Sequence, residues 1–266
     1  MMSAGRGPRD SGAASATVIT IASYNIHRCV GLDRKCSPPR IVAVLKEMDC
    51  DVLALQEVDN SPGEHAGSAQ LDYLARTLEM TPVPGLRIVR GMGEYGNAIL
   101  TRLPVLDIHR HDLSYSRYEP RGAVDVDIDV GGTSLRVIAA HLGLSRSERR
   151  FQWRRLMVAV AERPLEAPTV MLGDMNEWYR RAATLTEAHA TFGRPPAPVA
   201  FPAFAPFLAL TRIWVRPVAA LVSMQVPRTD TTRQASDHLP VKVTIDVTKL
   251  HVSTAPTRTP VDPEIV

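Results

Sequence analysis

Apolar residues along this 266-residue chain fall into short blocks of two kinds. Thr17–Ile26 (TVITIASYNI) and Asp51–Leu55 (DVLAL) are nearly continuous aliphatic or β-branched runs and read as buried strands. Between them, Pro38–Met48 carries Ile41, Val44, Leu45 and Met48 at helical spacing, opened by proline with Ser37 as candidate N-cap. A helix near Ala69–Leu78 follows, then strands near Leu86–Val89, Asn97–Leu100 and Val105–Asp112. Gly122–Val130 and Ser134–Ala140 are longer strands joined by Gly131 and Gly132, a hairpin signal. In the first of them Val124, Val126, Ile128 and Val130 alternate with Asp125, Asp127 and Asp129, which predicts that the aspartates lie on a solvated face. A helix over about Arg146–Glu162 precedes the strand Thr169–Leu172, and strands around Ile213–Val215 and Val241–Val247 close the pattern. Strands outnumber helices, and hairpins mix with crossovers. The pattern therefore predicts mixed sheets packed face to face with outer helices, not a doubly wound parallel sheet.

No repeat at a solenoid or propeller period appears. The opening Met1–Ala16 is rich in Gly, Ala, Ser and Arg without an apolar core, so it reads as a disordered tail of residues 1–16 and not as a signal peptide. Residues 249–266, with three prolines among Thr, Ser and Asp, read as a second disordered tail, leaving 17–248 as one folded domain. The apolar runs are strand-sized, so no integral membrane segment is expected. Cys29, Cys36 and Cys50 show no zinc spacing and read as reduced thiols of a cytoplasmic monomer.

Composition adds little. At 45% hydrophobic and 22% charged residues, the chain is neither disordered nor fibrous, and it is long enough to bury a core without disulfides. Four lysines (Lys35, Lys46, Lys242 and Lys249) among 31 basic residues leave 27 arginines, and the net charge is +3. That balance permits a polyanionic partner without specifying one.

Candidate chemistry sits where the apolar strands end. Asn25 and His27 end the first, Gln56 and Glu57 the second, and His141 the later hairpin strand. Asp174 and Asn176 follow VMLG, and Asp237 and His238 precede the last strand. One such residue is usually a turn residue. Several strand ends in one domain converge in space, and acids, amides and histidines together suit metal-assisted phosphate hydrolysis.

The ordered series SYNIH, LQEVD, GNAILTR, EPRGA, AHLGL, GDMNEW and ASDHLP resembles the endonuclease/exonuclease/phosphatase superfamily, from about Val18 to Val247, and looks most like its small bacterial members. The resemblance implies a four-layered α/β sandwich with two mixed sheets, a site at one mouth, and a Mg²⁺-dependent phosphoesterase with Mn²⁺ as a possible substitute. It implies Glu57 as main metal ligand, with Asn25 and Asp237 completing or supporting the site. It further implies Asp174 as the residue orienting the attacking water, Asn176 on the phosphate, and His141 and His238 flanking the scissile group. Arg121 matches a phosphate-gripping position. Asn97 either lies by the cleft as a substrate contact or fixes its loop by buried hydrogen bonding, and His27 is either a partner of the metal site or a rim residue.

One departure stands out. Thr211 occupies the place where the superfamily usually has the aspartate that holds the histidine of SDH, which implies weaker catalysis by one to three orders of magnitude or a non-catalytic member. Three substrate classes stay open. Nucleic acid, DNA above all, is favoured by the generic site, Arg121 and the arginine-rich helix Ser145–Arg155. A phospholipid or inositol phosphate is suggested by Phe201, Phe204 and Phe207 in AFPAFAPFLAL, and pure binding by Thr211.

Overall fold

The computed structural model describes residues 17–59, 69–85, 88–90, 93–164 and 167–250. The calls on residues 1–16 and 251–266, and part of the strand expected near Leu86–Val89, lie outside them.

In chain order the strands are β1 (Val18–Asn25), β2 (Val52–Asp59), β3 (Thr81–Pro84), β4 (Ile88–Arg90), β5 (Gly93–Thr101), β6 (Val105–Asp112), β7 (Gly122–Val130), β8 (Thr133–His141), β9 (Thr169–Asp174), β10 (Thr211–Arg216), β11 (Leu221–Gln225) and β12 (Val241–Asp246). The helices are α1 (Pro38–Met48), α2 (Gln70–Leu78), α3 (Arg146–Ala161), α4 (Ala183–Phe192) and α5 (Asp230–Ala235). One sheet runs β11-β12-β1-β2-β5-β3, with β4 also on β5, and the other runs β10-β9-β8-β7-β6.

Three buried clusters define four layers. Ile19, Ile21, Val52 and Ile99 of one sheet meet Val124, Val126, Val137 and Leu172 of the other in a central core. Alternate residues such as Tyr24, Leu53 and Leu100 face Ile41, Leu45, Leu74 and Ala235 of α1, α2 and α5. On the far side Ile138, Met171 and Trp214 face Trp153, Leu156, Leu185 and Phe192 of α3 and α4. The expected sandwich is thus present, and its period-two strands feed two cores at once, which is why they read as continuous apolar runs.

Each sheet contains one parallel pair, β1 with β2 and β8 with β9, bridged by α1 and α3. A parallel pair delivers both carboxyl ends to the same edge, so Asn25 stands beside Gln56 and His141 beside Asp174. The site follows from that topology.

One expectation fails. Asp125 and Asp127 are buried, not solvated. Arg136 on β8 grips Asp125 through Nε and Nη2 (3.0 and 2.6 Å) and also donates to the Ala159 and Val160 carbonyls of α3. His111 lies 3.2 Å from the same carboxylate, and Arg163 pairs with Asp127 at 2.6 Å. Alternation correctly sorted the two faces, but α3 covers the polar one, and a buried carboxylate then needs a cationic partner.

Leu250 is fully buried beyond β12, in the central core. The Cys29, Cys36 and Cys50 thiols are free. Among the described residues no helix is long and apolar enough to cross a membrane.

Candidate active site

Glu57 reaches the mouth through a bulge. Leu55 pairs with Ala98 and Val58 with Gly96, so Gln56 and Glu57 together oppose Asn97. Glu57 takes φ 57°, a left-handed conformation uncommon for a non-glycine residue. Gln56 spends its amide inside, donating to the Ala54 carbonyl and accepting from Ser23.

Asn25 ties the two sheets together. Its Nδ2 donates to Glu57 Oε1 at 2.9 Å and to Asp174 Oδ2 at 3.2 Å, while its Oδ1 accepts from the His27 amide at 3.0 Å. The amide nitrogen therefore faces the carboxylates. Burial works to raise the Glu57 carboxyl, but the nearby His141 ring and hydrogen bonds from Asn25 and Tyr95 more than offset it, leaving the group below the usual carboxylate range.

His141 ends β8 fully enclosed. Arg121 Nη1 lies 2.9 Å from its Nδ1, and a guanidinium only donates, so Nδ1 accepts and the ring proton belongs on Nε2. Burial, then the Arg121 charge, holds the imidazole well below the usual histidine range, hence neutral at pH 7. Nε2, however, faces the Asn176 amide nitrogen at 3.1 Å, with Asp174 Oδ2 at 3.8 Å. Two donors, Arg121 and Asn176, thus converge on a neutral ring that has one acceptor. The cluster is one acceptor short.

Asp174 and Asn176 leave β9 through a backbone only glycine allows. A Cβ on Gly173 would lie 1.8 Å from the Ala140 carbonyl oxygen, and its φ is 143°. Asn176 (φ 47°) donates to the Leu142 carbonyl, and its amide caps Asp174 Oδ1. His238 Nε2 stands 3.6 Å from Asp174 Oδ2, and Phe201 packs on its ring at 4.5 Å. The Ser236 hydroxyl donates to the Asn25 carbonyl at 2.8 Å and accepts from the His238 amide. Asp237, about one-third exposed, is 3.8 Å from His27 Nδ1.

Asn25, Glu57, Arg121, His141, Asp174, Asn176 and His238 are therefore linked in one cluster, with Asp237 and His27 at its rim. Asn97 is used otherwise: its Nδ2 donates to the Gly122 carbonyl at 2.9 Å, fixing the start of β7 next to Arg121. Thr211 pairs in register with Asp174, and among the described residues neither its Oγ1 nor His238 Nδ1 has a hydrogen-bond partner.

Several contributors escaped the sequence reading. Tyr95 donates to Glu57. Glu148 and Ser145 form a reciprocal capping box at α3, and Gln152 links Glu148 to the Gly143 amide behind His141. The signal S-x-x-E was available there. Arg149 reaches Glu177 (3.3 and 3.4 Å) and the Leu144 carbonyl (2.6 Å), joining the loops after His141 and Asn176. That pair spans 28 positions, beyond any local pattern.

As for a cation, the donor chemistry fits. Neither Glu57 nor Asp174 is paired with a lysine or arginine among the described residues; amides, histidines and the Tyr95 hydroxyl surround them. Among those residues, no three His, Cys, Asp or Glu side chains already converge as a closed ligand set. Oxygen donors of this kind suit a hard divalent ion that keeps several waters.

The sequence profile of the Endonuclease/Exonuclease/phosphatase family matches residues 22–238. The chain is 29% identical over 246 residues to the uncharacterized protein YbhP of Escherichia coli K12, covering 85% of this chain and 95% of that one. It superposes on the endonuclease/exonuclease/phosphatase of Beutenbergia cavernae with TM-score 0.71 at 23% identity, covering 87% of this chain and 72% of the other. A mannosyl-6-phosphatase of Bacteroides thetaiotaomicron gives TM-score 0.65 at 17% identity, covering 85% and 98%.

Proposed function

The chain belongs to the endonuclease/exonuclease/phosphatase family, a family of phosphoesterases, and we propose on that premise that it is a Mg²⁺-dependent phosphodiesterase acting on DNA. The observation that carries this reading is the division of the mouth into two halves. On one side Arg121, Asn176 and the Nε2 proton of His141 crowd together with too few acceptors. On the other, Glu57 and Asp174 are carboxylates with no lysine or arginine partner among the described residues. A tetrahedral phosphoryl group supplies oxygens to the first half, and a hard cation supplies charge to the second.

Glu57 would hold the cation, with Asp237 at the rim. Asn25, whose nitrogen faces the acids, supports Glu57 by donating to it. When bound, the ion lowers the charge of the phosphoryl oxygens and makes phosphorus more electrophilic. Every other step belongs to the chain. Arg121 and Asn176 orient the phosphate, and this relieves the crowding at His141, whose Nε2 proton then donates to a phosphoryl oxygen. Asp174, fixed by Asn25 and the Asn176 amide, orients a water and takes its proton as it attacks phosphorus; the P–O ester bond opposite the incoming oxygen breaks, and the leaving oxygen takes up a proton from solvent. His238 lies within 3.6 Å of Asp174, on the side where Phe201 closes the wall.

The test uses supercoiled plasmid with Mg²⁺. Nicking that EDTA abolishes and that Glu57→Ala and Asp174→Ala both lose supports the reading. A second reading, a phospholipid or inositol phosphate as substrate, is favoured by the exposure of Phe204 and Phe207 beside Phe201. Turnover of those compounds without nicking selects it. The three free thiols suit a cytoplasmic setting.

A further inference from the structure

A second surface leads away from the mouth. The turn between β6 and β7 carries Tyr115 and Tyr118, whose rings stack at 5.8 Å and 10°. Tyr115 in turn packs on Phe151 of α3 at 4.7 Å, and the Arg155 guanidinium lies 5.8 Å from the Phe151 ring. The result is a continuous ladder of three aromatic rings ending in a cation. Tyr118 is 45% exposed, so its outer face is open to a further ring.

Beyond the ladder, a surface groove of about 420 Å³ is lined by Arg110 of β6 and by Arg154 and Arg155 of α3. Two carboxylates, Asp112 and Glu162, share this groove. Three guanidiniums thus face two carboxylates, one of them, Asp112, close to Arg155 and also accepting from the Ser114 amide at 2.8 Å, which leaves one positive charge in excess. Arg146, Arg150 and Arg154 follow at i, i+4 and i+8 and are all exposed, extending the basic edge along the helix. The ladder begins next to the centre. Tyr118 stands three residues before Arg121, whose carbonyl accepts from the Leu113 amide at the end of β6.

We propose that this surface binds a single-stranded segment of nucleic acid, its bases stacking from Tyr118 and its phosphates following Arg110, Arg154 and Arg155. The proposal rests on the nucleic-acid reading of the active site and extends it. Open aromatic faces require unpaired bases, because a duplex keeps its bases stacked on one another. Guanidinium groups beside the rings supply the backbone charge. A lipid surface needs neither stacked rings nor a groove. The strand so held leads its scissile phosphate to Arg121 and His141.

The test is fluorescence anisotropy with labelled dT12 in EDTA, where no chemistry occurs and the acidic mouth has no cation. Wild-type protein binds dT12 more tightly than a duplex of equal length. Tyr118→Ala weakens binding about tenfold at every salt concentration, and Tyr118→Phe restores it. The double change Arg154→Glu/Arg155→Glu weakens binding at least tenfold and lowers the slope of log K against log salt by about one to two. Thermal unfolding checks that each variant remains folded. Equal affinities for all variants, or no binding of dT12 by the wild type, overturn the proposal. So does Tyr118-dependent sedimentation with phosphatidylserine vesicles in place of oligonucleotide binding. Intact dT12 binding without plasmid nicking instead counts against the active-site reading alone.

Discussion

Glu177 offers the sharpest test of how the mouth is held. It follows Asn176 directly and is buried, with Arg149 as its partner at 3.3 and 3.4 Å. Its Oε1 also accepts from the Tyr179 amide and its Oε2 from Thr184. Glu177→Ala removes all of these acceptors and leaves a guanidinium in the interior. Breaking a buried pair in this way costs about 3–5 kcal/mol. The lower end applies, because the pair's own contacts are long and Arg149 keeps the Leu144 carbonyl at 2.6 Å. About 3 kcal/mol corresponds to a fall of roughly 6–12 °C in Tm for a domain of this size.

The functional effect is separable from the stability loss. Arg149 and Glu177 connect the loop behind His141 to the loop behind Asn176, so their loss lets the two groups proposed to face the phosphate drift apart. Displacement by about 1 Å costs on the order of 100-fold in kcat, with KM less affected. Glu177→Gln keeps one acceptor, for the Tyr179 amide, and can donate to the Thr184 hydroxyl, but leaves the Arg149 charge unpaired, so it should recover only part of both losses. Arg149→Met/Glu177→Leu, which buries no charge, should be more stable than Glu177→Ala alone. Thermal unfolding and Mg²⁺-dependent hydrolysis of bis(p-nitrophenyl) phosphate, below the Tm of every variant, measure the two effects. Stability within about 1 kcal/mol of wild type and an unchanged kcat for Glu177→Ala would refute the reasoning.

Three further outcomes follow from the same geometry. Thr211→Asp offers a carboxylate near His238 Nδ1, which lacks a partner among the described residues, and should raise kcat by ten- to a thousandfold with Mg²⁺ present; an unchanged value removes the proposed role of that position. His141 is held neutral when folded, so the unfolded chain binds a proton first as pH falls through about 6.5. Stability then declines by up to about 1.4 kcal/mol per pH unit until the folded imidazole also titrates, and His141→Asn should remove that component from Tm measured against pH. Gly173→Ala drives a Cβ into the Ala140 carbonyl and should destabilise the fold by more than about 3 kcal/mol in denaturant titrations, with loss of nicking activity.

The central strands were legible because they are buried on both faces and therefore carry unbroken apolar runs. β3 was not, since Pro82 and Pro84 argue against a strand; it survives as an edge strand on β5, where missing donors matter less. α4 (ATLTEAHATF) has three threonines and no side-chain cap, so local propensity is weak and packing on Trp214 and Ile138 carries it. Asp125 and Asp127 show the limit of alternation, which separates two faces but does not say whether water or a helix covers the polar one. At the site, the strand-end residues were readable one by one. The Asn25 amide's bonds to Glu57 and Asp174, the Arg121–His141 contact and the Arg149–Glu177 pair were not, because each joins segments distant in sequence.

That division explains where the site gets its rigidity. His27, Glu57 and Asn176 all adopt positive φ, and each such residue costs about 1–2 kcal/mol in backbone strain. Each is held there by its contacts. Glu57 is fixed by the β2–β5 bulge, Asn176 by the Leu142 carbonyl and the Asp174 carboxylate, and the His27 amide by Asn25. The strain is thus sustained by two face-packed sheets joined at the mouth through Asn25 and Asn97, with Ser236 tying the loop before β12 to the end of β1. Donors crowded around His141 and carboxylates without lysine or arginine partners among the described residues persist only in a frame that does not relax around them. On the proposed function, the same frame holds both halves in place for a phosphate and a cation, so binding should bring little rearrangement of Arg121, His141 or Asp174, and catalytic loss should track loosening of the frame as closely as loss of the reacting groups.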